Sequence, residues 1–122
     1  MAAPNIVNVT SIYGKSKGVA LDTTLTTALL ANGLNSGKLL KLNSIIVSNV
    51  DGINNADVTI SMHDGTADFY LAKTVQVPAD STLVVLGKDS PIYLEESDEI
   101  RGGASADGDL EVIISYEELD DA

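Results

Sequence analysis

Leu39-Leu40-Lys41-Leu42-Asn43-Ser44-Ile45-Ile46-Val47-Ser48-Asn49-Val50 is the longest apolar-rich run in the chain, and Asp51-Gly52 after it is a turn signal. With simple two-residue alternation, Leu40, Leu42, Ile46 and Ser48 share one face; Leu39, Lys41, Ile45 and Val47 share the other. Its second half therefore carries aliphatics on both faces, as a strand covered on both sides does. The run reads as a central strand, one face closed by a second sheet and the other by a neighbouring element or another subunit. On that ground Ile45 and Val47 are candidate interface residues.

On the C-terminal side of this run, Ala56-Asp57-Val58-Thr59-Ile60-Ser61-Met62 alternates, with Ala56, Val58, Ile60 and Met62 expected inside and Asp57, Thr59 and Ser61 outside. Further strands are expected at Phe69–Val77, Thr82–Leu86, Pro91–Leu94, Glu99–Gly103 and Leu110–Glu117. On the N-terminal side, Ile6–Tyr13 reads as a first strand ending in a polar loop, Gly14-Lys15-Ser16-Lys17-Gly18. Gly18–Ala31 is ambiguous. Leu21, Leu25, Ala28 and Leu29 have helical spacing, but four Thr lose rotamer freedom in a helix. Two short strands, Val19–Asp22 and Thr26–Ala31, are the preferred reading, with a helical turn over Thr24–Leu30 as the alternative. Turn signals recur at roughly 8–12-residue intervals, the spacing of a sandwich or small barrel. The expected fold is all-β: a single antiparallel β-sandwich, jelly-roll-like or immunoglobulin-like, of about eight strands.

At 122 residues the chain is expected to form one domain with a core of Val, Ile and Leu, since it has no Trp and one Phe. It has no Cys, so neither a disulfide framework nor thiol chemistry. The formal net charge is −11. Six acids and six bases balance up to Lys88; from Asp89 onward twelve acids face only Arg101. A direct grip on nucleic acid or on an anionic membrane needs clustered Lys and Arg, which are lacking. The acidic end reads first as a solubility device, and second as a docking face for a basic surface or a face that repels packaged DNA. No run approaches the length of a membrane helix, and Met1–Asn5 has no signal-peptide pattern.

No catalytic constellation stands out, and no cofactor is called for. His63-Asp64-Gly65-Thr66-Ala67-Asp68 sets the one His beside two carboxylates, but without a nucleophile or a strong ligand spacing. A plain hairpin turn is the preferred reading. Asp107-Gly108-Asp109, with Asp98 and Glu99 nearby, shares a D-x-D fragment with calcium loops and lacks the rest, so a turn with solvated charges is preferred. Gly102-Gly103 has no following helix and marks a bulge or a close backbone approach. Tyr13, Tyr70, Tyr93 and Tyr116 fall in expected strands and read as half-buried strand aromatics in preference to a carbohydrate platform.

Three segments carry a resemblance: Leu42–Gly52, Tyr70–Val85, and Pro91–Glu96 together with Leu110–Glu118. They resemble small structural proteins of tailed bacteriophages, especially phages of cyanobacteria and other marine bacteria. The resemblance covers Lys38 to Leu119. It implies a non-enzymatic virion component, foremost a capsid decoration (cement) protein acting as a homo-oligomer, trimer or dimer, on the major capsid protein or other virion proteins. The implied location is the virion, assembled in the host cytoplasm. A neck, tail or fibre-attachment part and a carbohydrate-binding module are the alternatives. Residues 1–17 are expected to form an N-terminal arm and first strand, 18–119 the sandwich, and 120–122 an acidic tail. The arm supplies the other candidate interface residues: Ile6, Val7, Val9, Ile12 and Tyr13.

Overall fold

A computed structural model describes residues 10–120, which form nine strands and no helix. They are β1 Ser11–Ala20, β2 Ala28–Ala31, β3 Lys38–Asn49, β4 Ala56–His63, β5 Asp68–Val77, β6 Thr82–Leu86, β7 Ile92–Leu94, β8 Glu99–Ala104 and β9 Leu110–Asp120. All pairings are antiparallel and they nest. β1 pairs β9, β2 pairs β8, β3 pairs both β6 and β7, and β4 pairs β5. β9 also pairs β3, and β8 also pairs β4. Two sheets result. The larger runs β1-β9-β3-β6, with β7 end to end with β6 along β3; the smaller runs β2-β8-β4-β5. The expected antiparallel sandwich is therefore the fold.

The core lies between the sheets. Leu40, Leu42, Ile45 and Val47 of β3 and Val112 and Ile114 of β9 meet Val58 and Ile60 of β4 and Ile100 of β8. Each such side chain contributes about 1.5–3 kcal/mol on leaving water. The inward face of β3 changes parity along the strand. Leu40 and Leu42 point in; the register against β9 shifts between Leu42 and Ser44; thereafter Ile45, Val47 and Asn49 point in. One extra residue in a strand moves every later side chain to the opposite face. Leu40, Leu42, Ile45 and Val47, which strict alternation divides between two faces, are thus a single core-facing row broken by a bulge. Ile45 and Val47 are 0% exposed inside the chain's own core, so they form no subunit interface. Ile46 is the residue turned outward.

Several further expectations change. Gly14–Gly18 is not a loop but the middle of β1, held in unbroken register from Ser11↔Asp120 to Ala20↔Glu111. Ladder pairing over ten residues outweighs the weak strand preference of its glycines. The boundary expected between residues 17 and 18 falls inside this strand, and half of the expected first strand, residues 6–9, lies outside the described residues. Val19 and Ala20 end β1. Asp22 then caps a turn, its Oδ1 accepting from Thr24 N (3.0 Å) and Thr27 Oγ1 (3.3 Å), and only Ala28–Ala31 forms a strand. Neither Val19–Asp22 as a separate strand nor a helical turn over Thr24–Leu30 forms. Thr59 and Ser61, expected outside, are buried. Thr59 Oγ1 accepts from Thr74 N at 3.1 Å, and Ser61 Oγ bonds Asp68 at 3.4 Å. Two register shifts between β4 and β5, with Thr74 at φ 52°, fold β5 over these hydroxyls.

The close approach expected at Gly102-Gly103 is present. A Cβ at Gly102 would lie 2.6 Å from the Thr59 carbonyl oxygen, and one at Gly103 would overlap the Thr24 carbonyl. Backbone cannot move aside as a side chain can. Gly103→Ala is expected to destabilise by about 2 kcal/mol or more. Gly14→Ala, where nothing lies within 4 Å, should stay within about 0.5 kcal/mol of the parent. Urea denaturation midpoints compare the two; equal midpoints contradict this packing.

Candidate functional site

His63 ends β4 and Asp68 begins β5, so the turn between them brings the two side chains together. His63 Nδ1 lies 3.2 Å from Asp68 Oδ1, and Arg101 Nη1 lies 3.8 Å from the same oxygen. Arg101 Nε in turn donates to Glu99 Oε2 at 2.5 Å. Asp68, Arg101 and Glu99 form an ion-pair network across β5 and β8, and His63 of β4 contacts the same Asp68 oxygen. Asp64 caps the turn: its Oδ1 accepts from Ala67 N (3.0 Å), Thr66 N (3.0 Å) and Thr66 Oγ1 (2.9 Å). The backbone N–H groups of Ala67 and Thr66 push its pKa down to about 2. The carboxylate is used up by its own turn, as a hairpin cap is.

Asp107 and Asp109 sit in the β8–β9 turn and Asp98 at the opposite end of β8, where Oδ2 accepts from Glu95 N at 3.0 Å. Six residues of strand separate the two turns by about 20 Å. The acids near one another in sequence are not near one another in space. Among the described residues no group of three or more His, Asp and Glu could hold a metal ion. The acidic excess is likewise spread. Glu118 takes Lys15 at 3.2 Å and Lys38 at 3.5 Å, Glu117 takes Asn43, and Asp51 caps its own turn. Backbone bonds from Ile53 and Asn54 lower the Asp51 pKa.

Two buried asparagines were not singled out by the sequence. Asn32 Nδ2 donates to the carbonyls of Lys38 and Leu94, both at 2.9 Å, and its Oδ1 accepts from Ser36 Oγ at 2.6 Å. Asn49 Nδ2 donates to the carbonyls of Asn54 (3.0 Å) and Val77 (2.9 Å), and its Oδ1 accepts from Asp51 N at 2.9 Å. Each ties a loop to a strand of another part of the chain. An Asn at the end of an apolar strand, on the same face as Ile45 and Val47, was the available signal for Asn49.

Of the candidate interface residues, Ile6, Val7 and Val9 lie outside the described residues. Ile12 and Tyr13 are adjacent on β1 and are 58% and 51% exposed. Ile45 and Val47 are in the core, as described above. The tyrosines form no platform. Tyr93 is on the outer face of β7 opposite Lys41, Tyr13 and Tyr116 are on β1 and β9, and Tyr70 is in the other sheet beneath Lys73. Only Tyr116 is half-buried; the other three are exposed.

The outer face of the larger sheet carries a row of residues in register. Register aligns Gly18, Ile113, Ile46 and Val84 in one row across four strands. Ile113 and Val84 are exposed. Serines and a threonine flank the row: Ser16, Ser115 and Ser44 on one side, Ser48 and Thr82 on the other. Glu111 stands between Ala20 and Ser48 in the second flanking row, and the residues around the apolar stripe are otherwise small or hydroxylic.

Asn49→Ala removes three hydrogen bonds, one of them to the buried Val77 carbonyl, and is expected to destabilise by about 2 kcal/mol in chemical denaturation. Asp64→Ala probes the cap. Its folded pKa lies below the ordinary 3.8, so its stabilisation is complete above that value and is lost as pH falls toward 2. The variant should melt below the parent at pH 7, with the gap closing between about pH 4 and pH 2; a gap unchanged at pH 2 contradicts the assignment.

No protein-family model matches the chain, and no curated protein matches it. Solved structures do. One is a pentameric capsid protein isolated from metagenomic phage sequences and solved by iodide SAD phasing: TM-score 0.39, 16% identity, covering 97% of this chain and 65% of that one. A second structure, also of a pentameric capsid protein isolated from metagenomic phage sequences, gives TM-score 0.36 and 14% identity, covering 97% and 64%. This chain therefore spans just under two thirds of the length of either. At these scores the likenesses bear on neither fold nor assembly.

Proposed function

We propose that the chain is a non-enzymatic structural component of a bacteriophage virion, a head decoration protein that binds the shell and bridges neighbouring subunits. The observation that carries this reading is the outer face of the larger sheet, with Ile113, Ile46 and Val84 in register and short hydroxyl side chains around them. Such a face suits close contact with another protein surface: the side chains around the stripe are mostly small, and the stripe gains by leaving water. Supporting it, the resemblance to phage structural proteins over Lys38–Leu119 coincides with β3 to β9, the strands that build both sheets around the core.

The strand order supports a jelly-roll-like reading over an immunoglobulin-like one. Counting β6 and β7 as one broken strand, the chain is a long hairpin whose first and last strands pair, then the second and next to last, and so inward. A rigid sandwich of this kind resists deformation, and many copies multiply modest contacts into firm attachment.

Quantitative mass spectrometry of purified virions tests the proposal. A decoration protein is expected in a copy number comparable with that of the shell subunits. A copy number matching a single ring overturns it in favour of the neck or tail.

A further inference from the structure

Every exposed sheet edge but one is blunted among the described residues. β2 has four residues and a register shift; β5 has two register shifts and a residue at positive φ; β6 and β7 are short and separate. β1 differs: ten residues, no register shift, and no described strand on its other side. Its alternation can be read. Leu21 N donates to the Leu110 carbonyl at 2.9 Å, continuing the β1–β9 register, so the odd-numbered residues bond β9. The N–H and C=O groups of Ile12, Gly14, Ser16, Gly18 and Ala20 then point along the sheet, away from the molecule. Four of these five side chains are small, so nothing on this strand shields the row.

Charge says what the edge accepts. Lys15 and Lys17 project from the odd face of β1, on a chain whose net charge is −11. Lys15 shares Glu118 with Lys38, while the Lys17 side chain has neither a hydrogen bond nor an ion pair among the described residues. Lysines on an edge strand oppose pairing of the strand with its own copy, because like charges would face one another. They favour a strand carrying carboxylates at alternate positions. The geometry points to β1 as a strand-addition site that takes an extended acidic segment of the shell protein, extending the larger sheet by one strand. This partner assignment rests on the decoration reading above; that no described strand pairs the outer edge of β1 does not depend on it.

The test uses shells from phage lacking this gene, titrated with the full chain. Ser16→Pro removes an outward N–H without touching the β9 ladder and is expected to weaken binding about tenfold. Lys17→Glu should weaken it at least as much, while Lys88→Glu, with the same net charge, should bind like the parent. Should Ser16→Pro fail to fold, Lys17→Glu and amide exchange still decide. In the free protein about half the amides of segment 11–20 should exchange rapidly, and on the shell these should slow. Parent binding with unaffected variants, or equal loss in Lys88→Glu, overturns the edge proposal alone. A parent chain that does not bind shells overturns the decoration reading and the partner with it. A wild-type dimer abolished by Ser16→Pro assigns the edge to a second copy and likewise overturns the proposal.

Discussion

The ladder between β3 and β9, from Lys38↔Asp120 to Asn49↔Leu110, is the interaction the rest of the molecule depends on. It joins residues far apart in sequence at the centre of the larger sheet, leaving β1 on one flank and β6 with β7 on the other. The single bulge after Leu42 decides which side chains reach the smaller sheet. Without it Ile45 and Val47 would face solvent and Ile46 the core. Each misplacement would forfeit a buried aliphatic contribution of about 1.5–3 kcal/mol. The outer face exists because the same bulge turns Ser44, Ile46 and Ser48 outward together.

Polar groups then fix what the ladder leaves loose. Asn32 and Asn49 bind loops to strands through buried amides. Asp22, Asp51 and Asp64 spend their carboxylates on N–H groups of their own turns. Arg101 bridges Glu99 and Asp68 across the smaller sheet. Much of the ionisable chemistry among the described residues is therefore committed to structure.

The sandwich, its strands from β3 to β9 and the close approach at Gly102-Gly103 were legible in the sequence, because two-residue alternation and turn residues report directly on burial and chain reversal. Three features were not. The bulge in β3 is invisible to a strict alternation, so Ile45 and Val47 were put on the wrong face. Gly14–Gly18 looks like a loop locally, and only its partner, β9, about a hundred residues away, makes it a strand. Thr59 and Ser61 look solvent-facing until β5 is seen to fold over them. In each case a tertiary contact overrode a local pattern. Ile12 and Tyr13 are exposed on β1, whereas the stripe of Ile46, Ile113 and Val84 needed the register of three strands to become visible.

The chain has no cysteine, so single cysteines can be placed at will and their thiol reactivity measured in the native protein. Ile46→Cys and Ile113→Cys are predicted to react rapidly, and Ile45→Cys and Val47→Cys only on unfolding. Labelling of residues 45 and 47 as fast as residue 46 in the folded chain would contradict the bulge, and with it the outer face on which the proposed attachment to a shell depends.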